Sequence, residues 1–246
     1  ETADIISAAQ KIAASKTFDN ATSCSSENSI VIVDAVFDKT IAALEAEGGT
    51  LLNPVEKQKL QNTLWMQGRL NPDLIAKSAQ VIAGAIELQR PEMNQVKILM
   101  VEETGTGCEY PFSGEKLCPV LTVYRASNFE AACQQVRKVY DYQGKGHSVG
   151  LHSQDESRPL KMGLSLPACR VIVNQAHCFA TGGNFDNGMP FSLSMGCGTW
   201  GDNSVSDNLN YRHYLNIVRI VRPITPVEPS DEEIFGEFWA KHGRYK

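Results

Sequence analysis

The chain alternates between two patterns of apolar residues, one helical and one typical of buried strands. Residues 3–14 carry apolar side chains at the spacing of an amphipathic helix, and the β-branched run 29–33 predicts a buried strand. Further strands are predicted at 97–101, 118–124, 147–152 and 170–174, and further helices at 36–47, 54–67, from 71, from 127 to about 144, and at 158–166. This alternation predicts an α/β fold: a mostly parallel sheet with helices on both faces.

The last third of the chain has a different pattern. Residues 175–210 are rich in Gly, Asn and Ser and have no clear period, which is more typical of a functional loop than of a passive connection. Residues 214–222 predict a long exposed strand, and a bare strand edge favours pairing in a homo-oligomer. Three prolines between 223 and 229 predict a stiff linker. We therefore divide the chain into an α/β domain at 1–213, an oligomerisation strand at 214–222, and a linker with a docking helix at 223–246.

Composition excludes several classes of function. The net charge of −5 over 246 residues argues against a nucleic-acid partner. No apolar run reaches the roughly 18 residues that span a bilayer, and no signal peptide is visible. Seven cysteines, an odd number, indicate free thiols and a cytoplasmic location rather than a disulfide framework. No C-x-x-C pair is present, so we expect no metal site.

The segment 17–33 contains the most reactive candidate, Cys24. Small polar residues surround it, whereas a structural cysteine usually has apolar neighbours. Hydroxyls and backbone amides can stabilise a thiolate, which is the nucleophilic form of cysteine. The residues alone leave open that Cys24 only fills space at a turn.

Four stretches, in this order, resemble one family. They are 15–34 around Cys24, Gly-Glu-Lys-Leu-Cys-Pro at 114–119, Gly-Lys-Gly-His at 144–147, and Met-Gly-Cys-Gly-Thr-Trp-Gly-Asp-Asn-Ser at 195–204. Together they resemble the catalytic domain of CoA-acylating aldehyde dehydrogenases, over roughly residues 1–222. The loop at 175–210 and the tail are most similar to enzymes for short polar aldehydes such as sulfoacetaldehyde or succinate semialdehyde.

The resemblance implies a mechanism and a set of site residues. Cys24 would attack an aldehyde, hydride would pass to NAD or NADP, and coenzyme A would cleave the resulting thioester. Glu115 matches a glutamate that holds the nicotinamide ribose hydroxyls, and His147 matches a histidine that relays protons to and from the CoA thiol. From the residues alone, Glu115 could be a solvated loop acid and His147 a hydrogen-bonded structural histidine.

The loop after the strand at 170–174 gives a further prediction. Ligands in parallel sheets gather where strands end, so Asn174, Gln175 and His177 are candidates to line the aldehyde pocket. No strand–Gly-rich turn–helix precedes Cys24, so we predict that the coenzyme-binding domain is absent from this chain. On that basis the chain alone would bind NAD poorly and turn over slowly.

Two other functions stay open at this stage. Cys24 and His147 could form the nucleophile–base pair of an acyl-transfer enzyme or thioester hydrolase that needs no nucleotide. Alternatively, the chain could be a non-catalytic interaction domain that lends its edge strand to an assembly. In that case Cys24 would be unreactive.

Overall fold

The structure is a computed structural model that describes residues 1–244, except for the side chains at positions 92 and 93. The last two positions of the predicted tail lie outside the described residues. The helices are α1 (Ile5–Thr17), α2 (Phe37–Ala46), α3 (Pro54–Leu64), α4 (Ala79–Ala85), α5 (Phe129–Tyr142), α6 (Arg158–Ser165), α7 (His177–Thr181) and α8 (Asp231–His242). The strands are β1 (Ser29–Val33), β2 (Gly49–Leu51), β3 (Trp65–Met66), β4 (Arg69–Leu70), β5 (Ile98–Glu102), β6 (Val120–Ala126), β7 (Val149–Leu151) and β8 (Val171–Val173).

The central sheet has four parallel strands in the order β1-β6-β5-β2. Strands β7 and β8 form a separate two-stranded parallel sheet, and β3 pairs with β4 as a short antiparallel hairpin. The prediction of an α/β fold with a parallel sheet is confirmed. Strands of this kind are buried on both faces, which is why their sequences are continuous apolar runs.

Two apolar clusters cover the two faces of the central sheet. Alternate residues of a strand point to opposite faces, so Ile98 and Met100 pack with α1 and α2, whereas Leu99 and Val101 pack with α3 and α4. These four strand residues have no exposed surface. Each buried side chain of this size contributes about 1.5–3 kcal/mol to the free energy of unfolding.

Local chemistry shifts two helix starts from their predicted positions. The helix expected from 71 begins only at Ala79, because Ala76 has a left-handed backbone (φ 60°) and Ser78 then caps the helix. The capping box predicted at 127–130 does not form; Asn128 caps α5 instead, with its Oδ1 accepting the Ala131 N–H. In contrast, Asn53 and Glu56 form the capping box expected for α3.

The chain divides into two compact units, Glu1–His213 and the segment from Tyr214 onward. The structure corrects one expectation in the second unit: residues 214–222 form no strand, and residues 215–229 lie in no helix or strand. A β-strand needs a neighbour that exchanges backbone hydrogen bonds, and this segment has none among the residues of its unit up to position 244. Its role in an oligomer stays a prediction.

The predicted C-terminal helix is present as α8. Ser230 and Glu233 form its capping box. Its apolar residues Ile234, Phe235 and Phe238 are about half exposed. Within the described residues, no helix has the length and apolar run needed to cross a membrane.

Candidate active site

Cys24 lies at an exposed turn between α1 and β1. The Ser26 N–H donates to the Ser23 carbonyl (2.9 Å), so Cys24 occupies the second position of this turn. Three consecutive residues before it, Asp19 to Ala21, have left-handed backbones with φ between 48° and 61°. Such conformations cost free energy outside glycine and concentrate at functional sites. The chain thus presents the thiol to solvent on a constrained loop.

His147 is in direct reach of the Cys24 thiol. The distance from His147 Nε2 to Cys24 Sγ is 3.3 Å, although 123 positions separate the two residues. On the other side of the ring, His147 Nδ1 lies 2.6 Å from Ser148 Oγ, which in turn lies 2.7 Å from His177 Nε2. If Nε2 accepts the thiol proton, Nδ1–H donates to Ser148 and Ser148 donates to His177. One tautomer is thereby selected for each ring.

The electrostatic surroundings keep this pair of histidines neutral. Burial lowers the pKa of His147 below its usual range, and the nearby Arg170 cation lowers it further. Burial also lowers the pKa of His177 to about 3, with His147 and His152 adding to the effect. A neutral His147 has a free lone pair at neutral pH and can act as a base toward Cys24.

Cys24, Glu115, His147 and His177 all line one cavity of about 500 Å³. The Glu115 side chain is exposed, and its backbone N–H donates to Gln143 Oε1 (2.8 Å). The loop beneath it is held by the buried Lys116, whose Nζ donates to the Phe112 and Gly114 carbonyls (2.8 Å each). The carboxylate of Glu115 is therefore free to accept hydrogen bonds from a diol, as a ribose ring presents.

A second cavity, of about 520 Å³, is also lined by Cys24. Its apolar wall includes Phe18, Phe179 and Phe191, and its polar groups come from Ser23, Ser25 and the backbone at 182–183. Phe18 and Phe179 pack edge to face, with ring centroids 5.0 Å apart. Cys24 and Ser25 line both cavities, so the two cavities meet at the Cys24 turn.

The three residues predicted for the aldehyde pocket have different positions. His177 lines the first cavity and is buried. The Asn174 side chain bonds both backbone groups of Ser153, and Gln175 accepts a hydrogen bond from Asn187. Neither Asn174 nor Gln175 lines the two cavities described above. Their assignment to the aldehyde pocket stays a prediction.

Sequence reasoning missed a buried network beneath Cys24. Glu27 lines the first cavity and accepts a hydrogen bond from Ser15 Oγ (2.7 Å), and Ser15 in turn accepts the Cys178 N–H (2.8 Å). Burial raises the pKa of Glu27 to about 7 and lowers the pKa of the neighbouring Lys16 to about 8. The network ties the end of α1 to α7, with the Cys24 loop between them.

Arg170 and Asn208 form a second missed contact. Arg170 donates to Asn208 Oδ1 (3.0 Å) and to the His147 carbonyl (3.2 Å), and Asn208 donates to the Thr181 carbonyl (2.9 Å). Both side chains are buried. They anchor the irregular segment 175–210 beside His147, which explains how a loop without a regular period can hold one position.

The side chains of the site are free thiols, imidazoles and carboxyl groups. All seven cysteines are free. In the part of the chain that the structure describes, no three His, Cys, Asp or Glu side chains form a group that could hold a metal ion. The arrangement is that of a thiol, a neutral imidazole and two carboxyl groups at one mouth, which suits covalent chemistry on a carbonyl group.

Comparison with known proteins shows which enzymes the chain is similar to. No protein-family model matches the chain. It is 55% identical over 237 residues to the acylating sulfoacetaldehyde dehydrogenase of Cupriavidus necator, covering 96% of this chain and 48% of that protein. It is 37% identical to the acetylating succinate-semialdehyde dehydrogenase of Clostridium kluyveri, covering 95% and 51%. The crystal structure of an acetylating aldehyde dehydrogenase from Geobacillus thermoglucosidasius superimposes with a TM-score of 0.86 at 37% identity, covering 94% and 50%.

The resemblance predicted from the four stretches is confirmed: the chain is homologous to the CoA-acylating aldehyde dehydrogenases. Among the relatives named here, the acylating sulfoacetaldehyde dehydrogenase has the higher sequence identity. The chain spans about half the length of the curated relatives it matches.

The buried histidines predict a specific acid sensitivity. His177 is neutral in the folded state, whereas in the unfolded chain it takes up a proton near pH 6.5. Protonation therefore favours the unfolded chain, so the free energy of unfolding is unaffected by His177 above pH 6.5 and falls as the pH drops toward 3. Replacing His177 with glutamine keeps a partner for Ser148 and removes this titration. Between pH 6.5 and 4, we expect the variant to lose about 3 kcal/mol less unfolding free energy than the unmodified protein.

Urea unfolding at a series of pH values measures this difference. The matched control is His213→Gln, because His213 is exposed and outside the site. An equal loss of unfolding free energy in the His177→Gln variant and the unmodified protein would mean that His177 does not resist protonation.

Proposed function

We propose that this chain is the cysteine-bearing catalytic part of a CoA-acylating aldehyde dehydrogenase. Its substrate would be a short polar aldehyde, of which sulfoacetaldehyde is the first candidate. The single observation that carries this proposal is the 3.3 Å contact between Cys24 Sγ and His147 Nε2 at the meeting point of two cavities. A thiol with a neutral base and two open sides can receive a substrate from one side and a cofactor from the other.

The first half-reaction begins at the thiol. His147 Nε2 accepts the Cys24 proton, and the thiolate attacks the aldehyde carbonyl to form a thiohemiacetal. The Cys24 backbone N–H is the local donor available to the developing oxyanion. Bound NAD(P)+ supplies the hydride acceptor. The oxyanion takes the proton back from His147; with the hydride acceptor bound, the thiohemiacetal carbon would then give up hydride, and its hydroxyl proton would pass through His147 to solvent. This would leave an acyl thioester on Cys24 and a neutral His147 for the next step.

The second half-reaction exchanges one thioester for another. The CoA thiol gives its proton to His147 Nε2 and attacks the acyl carbon, and the Cys24 thiolate leaves. A thiolate suits both steps because it is a good nucleophile and a good leaving group. His147 therefore serves as base in each half-reaction, and Ser148 with His177 holds its ring in the required tautomer.

The polar groups at the first cavity fit a nucleotide cofactor. Glu115 is an exposed carboxylate at the same mouth as Cys24, and its loop is fixed from below by Lys116. Hydrogen bonding of this carboxylate to the two ribose hydroxyls would orient the nicotinamide ring toward Cys24. NAD and NADP share this ribose, so both remain candidates, with coenzyme A as the co-substrate. The remaining cofactor contacts would come from a coenzyme-binding domain.

The relatives and the second cavity support the choice of substrate. Sulfoacetaldehyde and succinate semialdehyde are named for relatives at 55% and 37% identity. The Ser23 and Ser25 hydroxyls are hydrogen-bonding groups for an anionic tail in this cavity, and Phe18 and Phe179 belong to its apolar wall. A cytoplasmic homo-oligomer remains the expected form of the enzyme.

The dependence on coenzyme A tests the proposal. In an enzyme of the relatives' full length that contains this chain, sulfoacetaldehyde and NAD(P)+ without coenzyme A should give about one NADH or NADPH per site, because the thioester cannot be discharged. Adding coenzyme A should restore continuous turnover. A thioester hydrolase would instead release acid from an acyl-CoA with no nucleotide and give no reduced nucleotide. That result would contradict the dehydrogenase proposal and favour a thioester hydrolase.

A further inference from the structure

A line of buried side chains runs behind the site from the Cys24 turn toward His147. Ser25, the residue after Cys24, accepts a hydrogen bond from Thr181 Oγ1 (2.7 Å). The Thr181 carbonyl accepts a hydrogen bond from Asn208 Nδ2 (2.9 Å), and Asn208 Oδ1 accepts one from Arg170 Nε (3.0 Å). We call these four residues, Ser25, Thr181, Asn208 and Arg170, the buried bridge.

The far end of the buried bridge reaches the backbone of the catalytic histidine. Arg170 Nη1 donates to the His147 carbonyl (3.2 Å) and to the Gly196 carbonyl (3.0 Å). In front of the bridge, His147 Nε2 lies 3.3 Å from Cys24 Sγ. The thiol and the imidazole therefore meet directly at the cavity, and hydrogen bonds also connect their backbones from behind.

The buried bridge has little freedom to rearrange. Its four residues are between 0% and 4% exposed. Both amide protons of Asn208 are used, because Nδ2 donates to the Thr181 and Pro190 carbonyls while Oδ1 faces the Arg170 donor. A rotated amide would turn its N–H groups toward a cation that has no acceptor. Breaking any link leaves a buried polar group without its partner, which costs free energy, so one geometry is favoured.

Arg170 also brings a charge close to the site. The hydrogen bonds that the structure gives its guanidinium go to carbonyl and amide oxygens, and none of them goes to a carboxylate among the described residues. Its charge adds to burial in lowering the pKa of His147. The other titratable groups that face His147 are Cys24 and the neutral His177, and Glu115 lines the same cavity.

We propose, on the basis of the proposed roles of Cys24 and His147 as nucleophile and base, that the buried bridge sets the spacing of these two side chains. Arg170 is the positioning residue on the His147 side, and Thr181 is the positioning residue on the Cys24 side. Proton transfer from a thiol to an imidazole needs a short, aligned contact. A displacement of about 1 Å can lower a rate by about 10²-fold, so links behind the site control the reaction in front of it.

The alkylation rate of Cys24 tests this proposal without aldehyde, nucleotide or coenzyme A. The full-length enzyme is treated with iodoacetamide, and the Cys24 peptide is followed by mass. Thr181→Val keeps the shape of the side chain and removes its hydroxyl. We expect Cys24 to react about tenfold more slowly at pH 7, where it needs its base, and at a nearly unchanged rate at pH 9.5, where a thiol ionises alone. Thr181→Ser should restore the pH 7 rate to within about twofold.

Arg170→Lys separates the position of the bridge from its charge. Lysine keeps the positive charge but replaces the planar fork with one ammonium group, which cannot bond Asn208 and the His147 carbonyl in their present directions. We expect the same loss of Cys24 reactivity at pH 7 and its recovery at pH 9.5. An unchanged rate at pH 7 would mean that the charge alone is sufficient, and it would overturn the positioning role of Arg170.

A double variant tests whether the links act as one line. Ser25→Ala removes the hydroxyl that Thr181 contacts, so Ser25→Ala and Thr181→Val break the same hydrogen bond. The enzyme with both changes should alkylate Cys24 at a rate within about twofold of the slower single variant. Losses that multiply in the double variant would show two independent effects and would overturn the bridge.

The controls distinguish a failure of the bridge from a failure of the proposed function. Thr50→Val should leave the Cys24 rate unchanged, because Thr50 is buried on β2 at the opposite edge of the sheet from β1 and lines neither cavity. Cys118 has no exposed surface, so a Cys118 peptide without label shows that a variant is folded.

Two contrary results have different meanings. If Cys24 of the unmodified enzyme reacted no faster at pH 7 than the exposed Cys108, the nucleophile–base pair would be refuted, and the proposed function and the bridge would fall together. If Cys24 reacted faster than Cys108 and kept its rate in both Thr181→Val and Arg170→Lys, only the bridge would be overturned.

Discussion

Replacing Cys24 with serine is expected to lower kcat/KM for reduced nucleotide formation by about 10⁴-fold or more. A serine hydroxyl ionises far less readily than a thiol, so His147 at 3.3 Å can no longer generate the nucleophile. An alkoxide is also a poorer leaving group than a thiolate, so the transfer to coenzyme A slows as well. Initial rates of absorbance at 340 nm measure the effect.

The matched control is Cys108→Ser. Cys108 is also an exposed free thiol, and it lines neither cavity. Its replacement should leave the rate within about twofold of the unmodified enzyme. If the Cys24→Ser enzyme kept more than a tenth of the activity, another group would have to be the nucleophile.

Replacing His147 with asparagine is expected to lower kcat for acyl-CoA formation by about 10²- to 10³-fold at neutral pH. Asparagine can accept a hydrogen bond but cannot carry a proton between the two thiols. The loss should shrink as the pH rises above about 8.5, because the CoA thiol then ionises without a base. A merely structural role for His147 would give a loss that does not depend on pH in this way.

Steady-state rates from pH 6 to 9.5 measure this profile. His213→Asn is the control, because His213 is exposed and distant from the site in the sequence. If the His147→Asn variant lost the same fraction of the rate at every pH, His147 would not act as a base and would contribute only to packing.

The sequence predicted the layered fold and the main site because both follow from regular spacing. Residues 30–33 are all β-branched, and Ser29–Val33 became β1 as expected. Cys24 and His147 each precede a strand, and the two strands begin beside one cavity, which brings the side chains together. These relations depend on backbone topology, which apolar patterns determine well.

The missed contacts depend on side chains that converge from distant positions. The hydrogen bonds from Ser148 to His177 and from Ser15 to Glu27 follow no period, so no local pattern indicates them. Asn174 follows a strand, as the ligand rule requires, but its left-handed backbone (φ 53°) turns its amide toward Ser153. The position of a residue after a strand therefore did not fix the direction of its side chain.

The second unit shows a different limit of sequence patterns. The pattern at 214–222 predicts a strand although its alternation is imperfect, and yet no described residue of its own unit pairs with it. A strand pattern predicts the capacity to pair, whereas pairing itself depends on a neighbour.

The mass of the Cys24 peptide tests the central claim most directly. The full-length enzyme would be mixed with sulfoacetaldehyde and NAD(P)+ without coenzyme A, quenched in acid and digested. The account predicts the mass of a sulfoacetyl thioester on the Cys24 peptide, in an amount equal to the reduced nucleotide formed, and its loss when coenzyme A is added before quenching. Reduced nucleotide without any acyl mass on Cys24 would contradict the account.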